Sequence, residues 1–554
     1  MKILGIRDII GPIMIGPSSS HTAGALRIAL MCRKLLAGEP KNVTFKLYGS
    51  FAHTFRGHGT DKALVAGMLG MQTDDVRIRD SFALAEEAGM AFRFVPVPDV
   101  ITDHPNTVDI EVEDETGAAT SMRGESIGGG AAVISRLNGI EVRLTGEYHS
   151  IVVRQRDAKG VLAHIATCLN VYDINIATTR LFRERKGEIA YTIMETDDEI
   201  PEVLTRAIGK NPDIFDVRIV KRDASDALHH QVDAAEGRDW LDGFAATMTQ
   251  DEAEDIFETL DFPNAAALLA YCEENNLTIS QAICRRERCK LASEGTLTDG
   301  TEDYLYDVLE TMRESAHDPI QNPRPSMGGL LGGESAKMST FEKKGLCDPL
   351  LARAATYSMA VLETNASMGC IVAAPTAGSA GVLPAMLLAC QDVHGFTDDQ
   401  LVRALANAGA VGYLITRNAT VSGAEGGCQA EVGAASAMAA SAAVELMGGT
   451  PRQCLAAAAN AIAGILGLVC DPIAGLVEAP CQKRNAMGVA NALVSAQIAL
   501  AGIENLVDFD QTVEAMRRVG NTLPFELRES ALGGMAATPA AQKFCSGCST
   551  CGGC

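Results

Sequence analysis

Short apolar runs in the first part of the chain alternate with glycine-rich turns. Residues 1–146 contain strand-like runs such as 43–48 and stretches with helical spacing such as 25–37. Alternation at every second position is typical of strands, and repeats at three to four positions are typical of helices. This part of the chain is therefore predicted to be a mixed α/β domain.

Residues 147–222 carry the clearest succession of elements. Strand-like alternation covers 149–155, 174–182, 189–195 and 215–220, and helical spacing covers 160–172 and 199–209. The resulting order is βαββαβ, which is typical of a ferredoxin-like sandwich. We expect this segment to be a separate domain.

The remainder of the chain is predicted to be helical. Residues 223–239 are polar, acidic and without a period, which indicates a linker. From 240 to 554 the helical pattern dominates, first in charged amphipathic stretches at 251–260 and 264–274 and then in Ala-rich stretches with almost no charge. The predicted fold class is α+β multidomain, with a mixed α/β domain, a central ferredoxin-like domain and a mostly helical C-terminal domain.

Charge and composition exclude several classes of partner. The 554 residues carry 47 Lys and Arg against 70 Asp and Glu, and this net charge of −23 repels nucleic acids and anionic lipids. The uncharged stretches 364–391 and 485–503 are built on Ala and Gly, so they are predicted to be buried helices rather than membrane spans. Arg7 and Asp8 interrupt the apolar start that a signal peptide needs, so we expect a cytoplasmic chain with its 16 cysteines reduced.

Two polar turns near the N-terminus are candidate sites. The first turn precedes the helical run from Ala25 and consists of Ser18, Ser19, Ser20, His21 and Thr22. Hydroxyls and unpaired N–H groups at a helix start bind a carboxylate, and the alternative is a simple helix cap. The second turn places His58 between two glycines and close to Asp61 and Lys62. This histidine is either a general base or a hydrogen-bonded turn residue.

Three cysteines share a setting in the helical part. Cys428, Cys470 and Cys481 each lie at a Gly or Pro break beside an expected helix end, where an N-terminal dipole favours a thiolate. Three thiolates with no fourth ligand at short range suit an iron–sulfur cluster with one open iron better than a closed zinc site. The alternative is that each is a small buried residue.

The C-terminal tail carries a second cysteine pattern. Cys545, Cys548, Cys551 and Cys554 recur at every third position, the spacing with which ferredoxins hold a cluster. The Ser, Thr and Gly between them supply no apolar wall. Three interpretations remain open: an independent metal site, a mobile chain end, or a tail in which Cys554 folds back to cap the open iron as a fourth ligand.

Long motifs resemble one enzyme family. They read GPSSSHTAG, LYGSFAHTFRGHGTDKA, AAPTAGSAGVLPA, SGAEGGCQAEVG, GLVCDPIAGLVEAPCQKRNAMG and GGMAATPA. Together they resemble the iron–sulfur-dependent L-serine dehydratases, or L-serine ammonia-lyases, over nearly the whole chain. The chain looks like a fusion of the beta-type and alpha-type subunits that some bacteria make separately, and its middle βαββαβ segment resembles an ACT domain.

The resemblance implies a cofactor and a reaction. It implies a [4Fe-4S] cluster on Cys428, Cys470 and Cys481 and the conversion of L-serine to pyruvate and ammonia without pyridoxal phosphate. The turn from Ser18 to Thr22 is then expected to bind the substrate carboxylate, and His58 or His21 to take the α-proton. Weaker candidates for polar contacts with substrate are Asp61, Lys62, Arg484 and Asn485.

Several alternatives stay open. The turn 156–160 of the ACT-like segment is expected either to bind serine as an effector, with two such units meeting in a homodimer, or to be a structural spacer. The rival functions are another iron–sulfur hydro-lyase or desulfidase acting on a small β-substituted acid, a pyridoxal-phosphate lyase, and a non-enzymatic amino-acid-sensing or metal-binding protein.

Overall fold

The computed structural model describes residues 3–183, 185–196, 198–222, 244, 248–294 and 300–547. These residues divide into two compact units. The sheet unit takes the described residues of Ser20–Phe55 and Gly59–Ala227, and the helical unit takes those of Met1–Ser19, Arg56–His58 and Leu228–Cys554. The predicted linker 223–239 and the start of the predicted helical domain at 240 lie outside the described residues.

The N-terminal segment belongs to the helical unit. It contains α1 (Ile6–Ile9) and β1 (Ile13–Ile15), and β1 pairs antiparallel with the strand Cys370–Val372. The N–H of Ile6 donates to the Glu287 carboxylate at 2.9 Å, and the Tyr304 hydroxyl donates to the carbonyl of Ile10 at 2.6 Å. These bonds hold the segment inside the helical unit although it precedes the sheet unit in sequence.

The first sheet of the sheet unit has six strands in the order β3-β2-β4-β5-β6-β7. The elements are α2 (Ala25–Lys34), β2 (Pro40–Tyr48), α3 (Gly49–Thr54), α4 (Thr60–Met68), α5 (Ser81–Glu87), β3 (Ala91–Val97), β4 (Thr107–Asp114), β5 (Ala119–Gly128), β6 (Ala131–Leu137) and β7 (Ile140–Leu144). Only β2 and β3 pair in parallel. A Cβ on Gly124 would lie 2.2 Å from the Ile28 side chain, so this glycine lets α2 approach the sheet closely.

The second sheet has the predicted βαββαβ order. Its elements are β8 (His149–Arg156), α6 (Val161–Val171), β9 (Ile176–Arg183), β10 (Ile189–Thr196), α7 (Val203–Ile208) and β11 (Ile214–Val220). The strands pair antiparallel in the order β11-β8-β10-β9, and Ile151, Val153 and Met194 pack under Ile165 and Leu169 of α6. The N-terminal part is therefore mixed α/β, as predicted.

The C-terminal part is mostly helical, as predicted. Its elements are α8 (Gln250–Leu260), α9 (Ala265–Asn275), α10 (Ile279–Ser293), α11 (Thr301–Gln321), α12 (Glu334–Phe341), α13 (Pro349–Ala366), β12 (Cys370–Val372), α14 (Val382–His394), α15 (Asp398–Asn418), α16 (Gly423–Gly426), α17 (Cys428–Leu446), α18 (Pro451–Ile465), α19 (Cys481–Leu500), α20 (Phe509–Thr522) and α21 (Pro539–Gly547). Thr249 and Asn264 cap α8 and α9 through their side chains, which explains why the predicted starts agree with the structure within one residue.

The helix α17 forms the inner layer of the helical unit. It packs against α14, α15, α18 and α19, and its residues are buried almost without interruption from Cys428 to Val444. Alanine side chains allow this close packing of helices. The prediction of burial is wrong for part of 485–503, because α19 buries one face while Met487 and Val494 are well exposed on the other. Among the described helices, none combines the length and apolar content needed to cross a membrane.

Candidate metal centre

Cys428 and Cys481 occupy equivalent positions in two long helices. Cys428 is the first residue of α17, and Cys481 is the first residue of α19. The unsatisfied N–H groups of a helix start carry partial positive charge, which stabilises a thiolate. Both cysteines therefore lie at a helix end, as predicted, and in each case that end is the N-terminus.

The position of Cys470 differs from the prediction. It lies in extended backbone before Asp471 and Pro472 rather than at a helix end, and it forms an isolated parallel bridge with Arg528. Its N–H donates to the carbonyl of Leu527 at 2.9 Å, and its carbonyl accepts from the N–H of Glu529 at 2.9 Å. The late segment 527–529 thus fixes the position of Cys470, a long-range pairing that local sequence does not reveal.

Hydrogen bonds tie the three cysteine segments together. The N–H of Gln429, next to Cys428, donates to the carbonyl of Leu468 at 2.9 Å. Arg484, one turn along α19 from Cys481, donates to the carbonyl of Val469 at 2.9 Å and to the Asp471 carboxylate at 2.6 Å. These contacts place the three cysteines in one region of the helical unit.

The thiols also interact electrostatically. Burial raises the pKa of the Cys428 thiol, and the Glu431 carboxylate and Cys481 raise it further, whereas Arg484 lowers it. Burial raises the pKa of the Cys470 thiol as well, with further contributions from Glu431, Glu529 and the other two cysteines. Thiols with such raised pKa values are protonated at neutral pH, and a bound metal is what would make them thiolates.

The distances between the three sulfurs indicate whether they could bind a single metal ion or a group of several metal atoms. A single tetrahedral zinc with bonds near 2.3 Å brings its thiolates to about 3.8 Å from one another. The three sulfurs do not all lie within 4.8 Å of one another. The cysteines therefore interact but do not all lie at the spacing of ligands to one ion, an arrangement that a group with several metal atoms accepts.

Glu431 is a neighbour of the cysteines that sequence reasoning missed. It lies one turn after Cys428 on α17, and one carboxylate oxygen lies 3.9 Å from the Cys470 sulfur. The other oxygen accepts the Thr376 hydroxyl at 3.0 Å. Burial raises the pKa of Glu431 to about 7 although its bonds to Thr376 and Cys470 oppose the rise. The only sequence signal was the spacing of three from Cys428.

Asn485 connects the turn 376–381 to the start of α19. Its amide nitrogen donates to the carbonyls of Gly378 at 2.8 Å and Cys481 at 3.0 Å, and its oxygen accepts the N–H of Gly381 at 3.1 Å. Asn485 is thus brought together with the cysteines, where it positions the backbone. Its predicted contact with substrate stays a prediction.

His58 lies in the helical unit and is fully buried. Burial lowers its pKa to about 4, so the ring is neutral at pH 7 and can accept a proton. A Cβ on Gly57 would meet the carbonyl of Gly475 at 2.7 Å, which requires glycine before this histidine. A ring nitrogen of His58 and a carboxylate oxygen of Glu529 lie within 4.8 Å of each other. Glu529 has a φ of 56°, a left-handed conformation that is uncommon for glutamate.

The serine-rich turn is folded differently from the prediction. Residues Ser19–Gly24 form a π-helix that leads directly into α2, and Gly24 has helical backbone angles, so no cap interrupts the chain before Ala25. Ser18 and Ser19 are buried in the helical unit. The substrate roles predicted for Ser18, Ser19, Ser20 and Thr22 stay predictions.

Within the sheet unit, His21 is held by hydroxyls. Its ring nitrogens lie 3.0 Å from the Ser20 hydroxyl and 2.8 Å from the Ser50 hydroxyl. At the start of α4, the Lys62 ammonium donates to the carbonyl of Arg79 at 2.8 Å, and the Lys62 N–H donates to the Asp61 carboxylate at 2.8 Å. These bonds occupy the backbone N–H and the ammonium group of Lys62 with partners in the sheet unit. The predicted contacts of Asp61 and Lys62 with substrate stay predictions.

The cysteine tail lies mostly outside the described residues. Cys545 belongs to α21, but its side chain lies outside the described part of the structure, as do Cys548, Cys551 and Cys554. The expectation that Cys554 caps the cluster is therefore a prediction that the structure does not address.

Known proteins share these sequences. Residues 7–93 match the family described as serine dehydratase beta chain, and residues 274–536 match serine dehydratase alpha chain. The L-serine dehydratase of Streptomyces coelicolor is 30% identical over 95% of this chain and 96% of its own length. The probable L-serine dehydratase alpha chain of Bacillus subtilis is 42% identical over 51% of this chain and 94% of its own length, and the probable beta chain of that organism is 42% identical over 39% and 98%.

Serine dehydratases of the alpha and beta type are generally iron–sulfur dependent. The two matches occupy separate parts of one polypeptide, and the Streptomyces relative aligns over almost the full length. The chain therefore belongs to the L-serine dehydratase family and joins the beta and alpha types in a single chain.

Proposed function

We propose that this chain is an L-serine ammonia-lyase that converts L-serine to pyruvate and ammonia with a [4Fe-4S] cluster on Cys428, Cys470 and Cys481. The observation that carries the proposal is the convergence of three cysteines, two buried and one partly exposed, whose sulfurs do not all lie at the spacing of ligands to one ion. A cubane takes each thiolate on a separate iron and so suits this spacing. When bound, it supplies an iron without a protein ligand that acts as a Lewis acid toward the substrate hydroxyl.

The protein supplies the charge balance for such a cluster. The N-termini of α17 and α19 direct partial positive charge at Cys428 and Cys481. Arg484 adds a full positive charge that lowers the pKa of both thiols. These groups stabilise the thiolates of Cys428 and Cys481.

The protein also supplies a base and a carboxylate site. His58 is neutral at pH 7, so its imidazole can take the α-proton of serine. The hydroxyls of Ser18 and Ser19 are candidates to bind the substrate carboxylate and to align the bonds that break. Loss of the α-proton and of the β-hydroxyl as water gives aminoacrylate, which tautomerises to the imine and is hydrolysed to pyruvate and ammonia.

The βαββαβ segment supports an ACT-like regulatory role in this proposal. Gly160 begins α6 with a φ of 86°, and Asp157 accepts the N–H of Gly187 at 3.0 Å and Arg183 at 2.6 Å. The turn 156–160 is thus ordered beside a helix start, where we propose that serine binds as an effector in a homo-oligomer. Deletion of 148–221 should change the serine dependence of turnover, and an unchanged dependence would count against regulation.

The test of the function is anaerobic reconstitution with iron and sulfide followed by a pyruvate assay with L-serine. We expect pyruvate and ammonia in equal amounts from the loaded chain and none from the metal-free chain. His58→Ala should retain iron and sulfide but lose turnover. A loaded chain that releases sulfide from L-cysteine and no pyruvate from L-serine would favour the desulfidase instead.

A further inference from the structure

Glu431 is a carboxylate beside the cysteines with no cationic partner. Within the described residues, no Lys, Arg or His side chain forms an ion pair with it. Arg484, which lies near the thiols, is already paired with Asp471 at 2.6 Å. Glu431 therefore keeps an uncompensated charge when it is ionised.

The residues packed closest to the Glu431 carboxylate are small, and the Glu529 carboxylate interacts with it electrostatically. A Cβ on Gly423 would lie 2.5 Å from one carboxylate oxygen, and a Cβ on Gly378 would lie 3.3 Å from the other. The Thr376 hydroxyl donates to the oxygen on the Gly378 side at 3.0 Å. Among the described residues, the only hydrogen-bond partner of the oxygen on the Gly423 side is the Cys470 thiol, at 3.9 Å. That second oxygen retains capacity to accept a hydrogen bond.

Glu431 is also less enclosed than its neighbours. Cys428, Cys470 and Thr376 are buried, whereas Glu431 and Cys481 are partly exposed. The carboxylate and one of the cysteines thus share partial exposure.

The negative charges of this region favour a ligand with a positively charged hydrogen-bond donor. The three cysteines and two carboxylates, those of Glu431 and Glu529, lie near Arg484, whose charge is shared with Asp471. Taking an ammonium group out of water is costly unless a carboxylate or another acceptor receives its N–H groups. The substrate of the proposed reaction is a zwitterion and brings such an ammonium group.

We propose that Glu431 binds the α-ammonium group of the substrate through the oxygen that faces Cys470, and so selects amino acids over acids that lack the amine. This proposal rests on the proposed function for the identity of the substrate. Thr376 positions the carboxylate by holding its other oxygen.

The test compares two ligands that cannot undergo elimination. L-Alanine carries the ammonium and carboxylate of serine, and propanoate carries only the carboxylate. Calorimetric titration of the anaerobically reconstituted chain should show tighter binding of L-alanine. In Glu431→Gln the affinity for L-alanine should fall about 10- to 100-fold, because a charge-assisted bond is lost, while that for propanoate should change less than about twofold.

Two further variants keep the test independent of cluster loading. Glu445→Gln removes another buried carboxylate of α17, held by Asn407 and Ser280 at the far end of the helix, and should leave the ligand preference unchanged. If Glu431→Gln does not retain iron and sulfide, Thr376→Val releases the carboxylate from its hydrogen bond and should reduce the preference for L-alanine about threefold.

The outcomes separate this proposal from the proposed function. Equal affinity of the wild-type chain for both ligands would overturn the role of Glu431, as would an unchanged preference in the loaded Glu431→Gln chain or, failing that, in Thr376→Val. A loaded wild-type chain that makes no pyruvate from L-serine would overturn the lyase function, and the ligand comparison would still decide whether Glu431 binds the ammonium group.

Discussion

The Arg484–Asp471 ion pair allows a quantitative test of how the cysteine region is held together. The Asp471 side chain is 2% exposed and that of Arg484 is 18% exposed. Removing one partner of a buried pair costs about 3–5 kcal/mol. Asp471 also accepts the N–H of Met535 at 2.6 Å, which keeps part of its charge satisfied. We therefore expect Arg484→Met to lower the free energy of unfolding by about 3 kcal/mol, the lower end of that range.

A double-mutant cycle isolates the pair. Asp471→Asn alone leaves Arg484 facing the thiols, and the double variant should be less destabilised than the sum of the single variants, with a coupling of about 2 kcal/mol. Equilibrium unfolding in urea, followed by circular dichroism on the metal-free chains, measures these values without a contribution from bound metal.

An exposed pair provides the control for this cycle. Arg517 and Glu514 pair at 2.7 Å on the surface of α20, and Arg517→Met should lower the free energy of unfolding far less than Arg484→Met. If Arg484→Met is no more destabilising than Arg517→Met, or if the cycle is additive, the pair does not hold the cysteine segments together.

Two other predictions follow from burial and packing. Burial lowers the pKa of His58 to about 4 from about 6.5 in the unfolded chain, so the unfolded chain binds more protons between these values and stability falls by up to about 3 kcal/mol as pH drops through this window. His58→Gln should remove that part of the pH dependence in urea unfolding, and an identical slope in the variant would contradict it. Gly423→Ala should lower the iron content after reconstitution, because its Cβ would lie 2.5 Å from a Glu431 oxygen and 3.3 Å from the Cys470 sulfur. The control is Gly433→Ala, whose Cβ would meet no atom within 4 Å and which should keep the wild-type iron content. Equal iron in both glycine variants would show that the space at Gly423 is not needed.

Much of the fold could be predicted because its signals are local. The βαββαβ segment has strands that alternate and helices with a clear period, so its order was predictable. The starts of α8 and α9 are marked by Thr249 and Asn264, whose side chains cap the helices. The π-helix at Ser19–Gly24 was not predictable in this way, because serine and threonine favour a cap as a first interpretation.

The site was harder to predict because its contacts cross long stretches of sequence. Cys428 and Cys481 were recognisable by their Gly and Pro breaks, and both begin helices. The surroundings of Cys470 depend on pairing with Arg528, and those of Glu431 depend on Thr376, 55 residues earlier. No local pattern marks such partners, so Glu431 and Glu529 became visible only in the structure.

The most direct test of the central claim is the iron and sulfide content of cysteine variants after anaerobic reconstitution. The wild-type chain should bind about four irons and four sulfides, and Cys428→Ser, Cys470→Ser and Cys481→Ser should each lose most of them. Cys390→Ser, at a buried cysteine of α14, should bind as much as the wild type. Full loading of any one of the three variants, or zinc without sulfide in the wild type, would contradict the account.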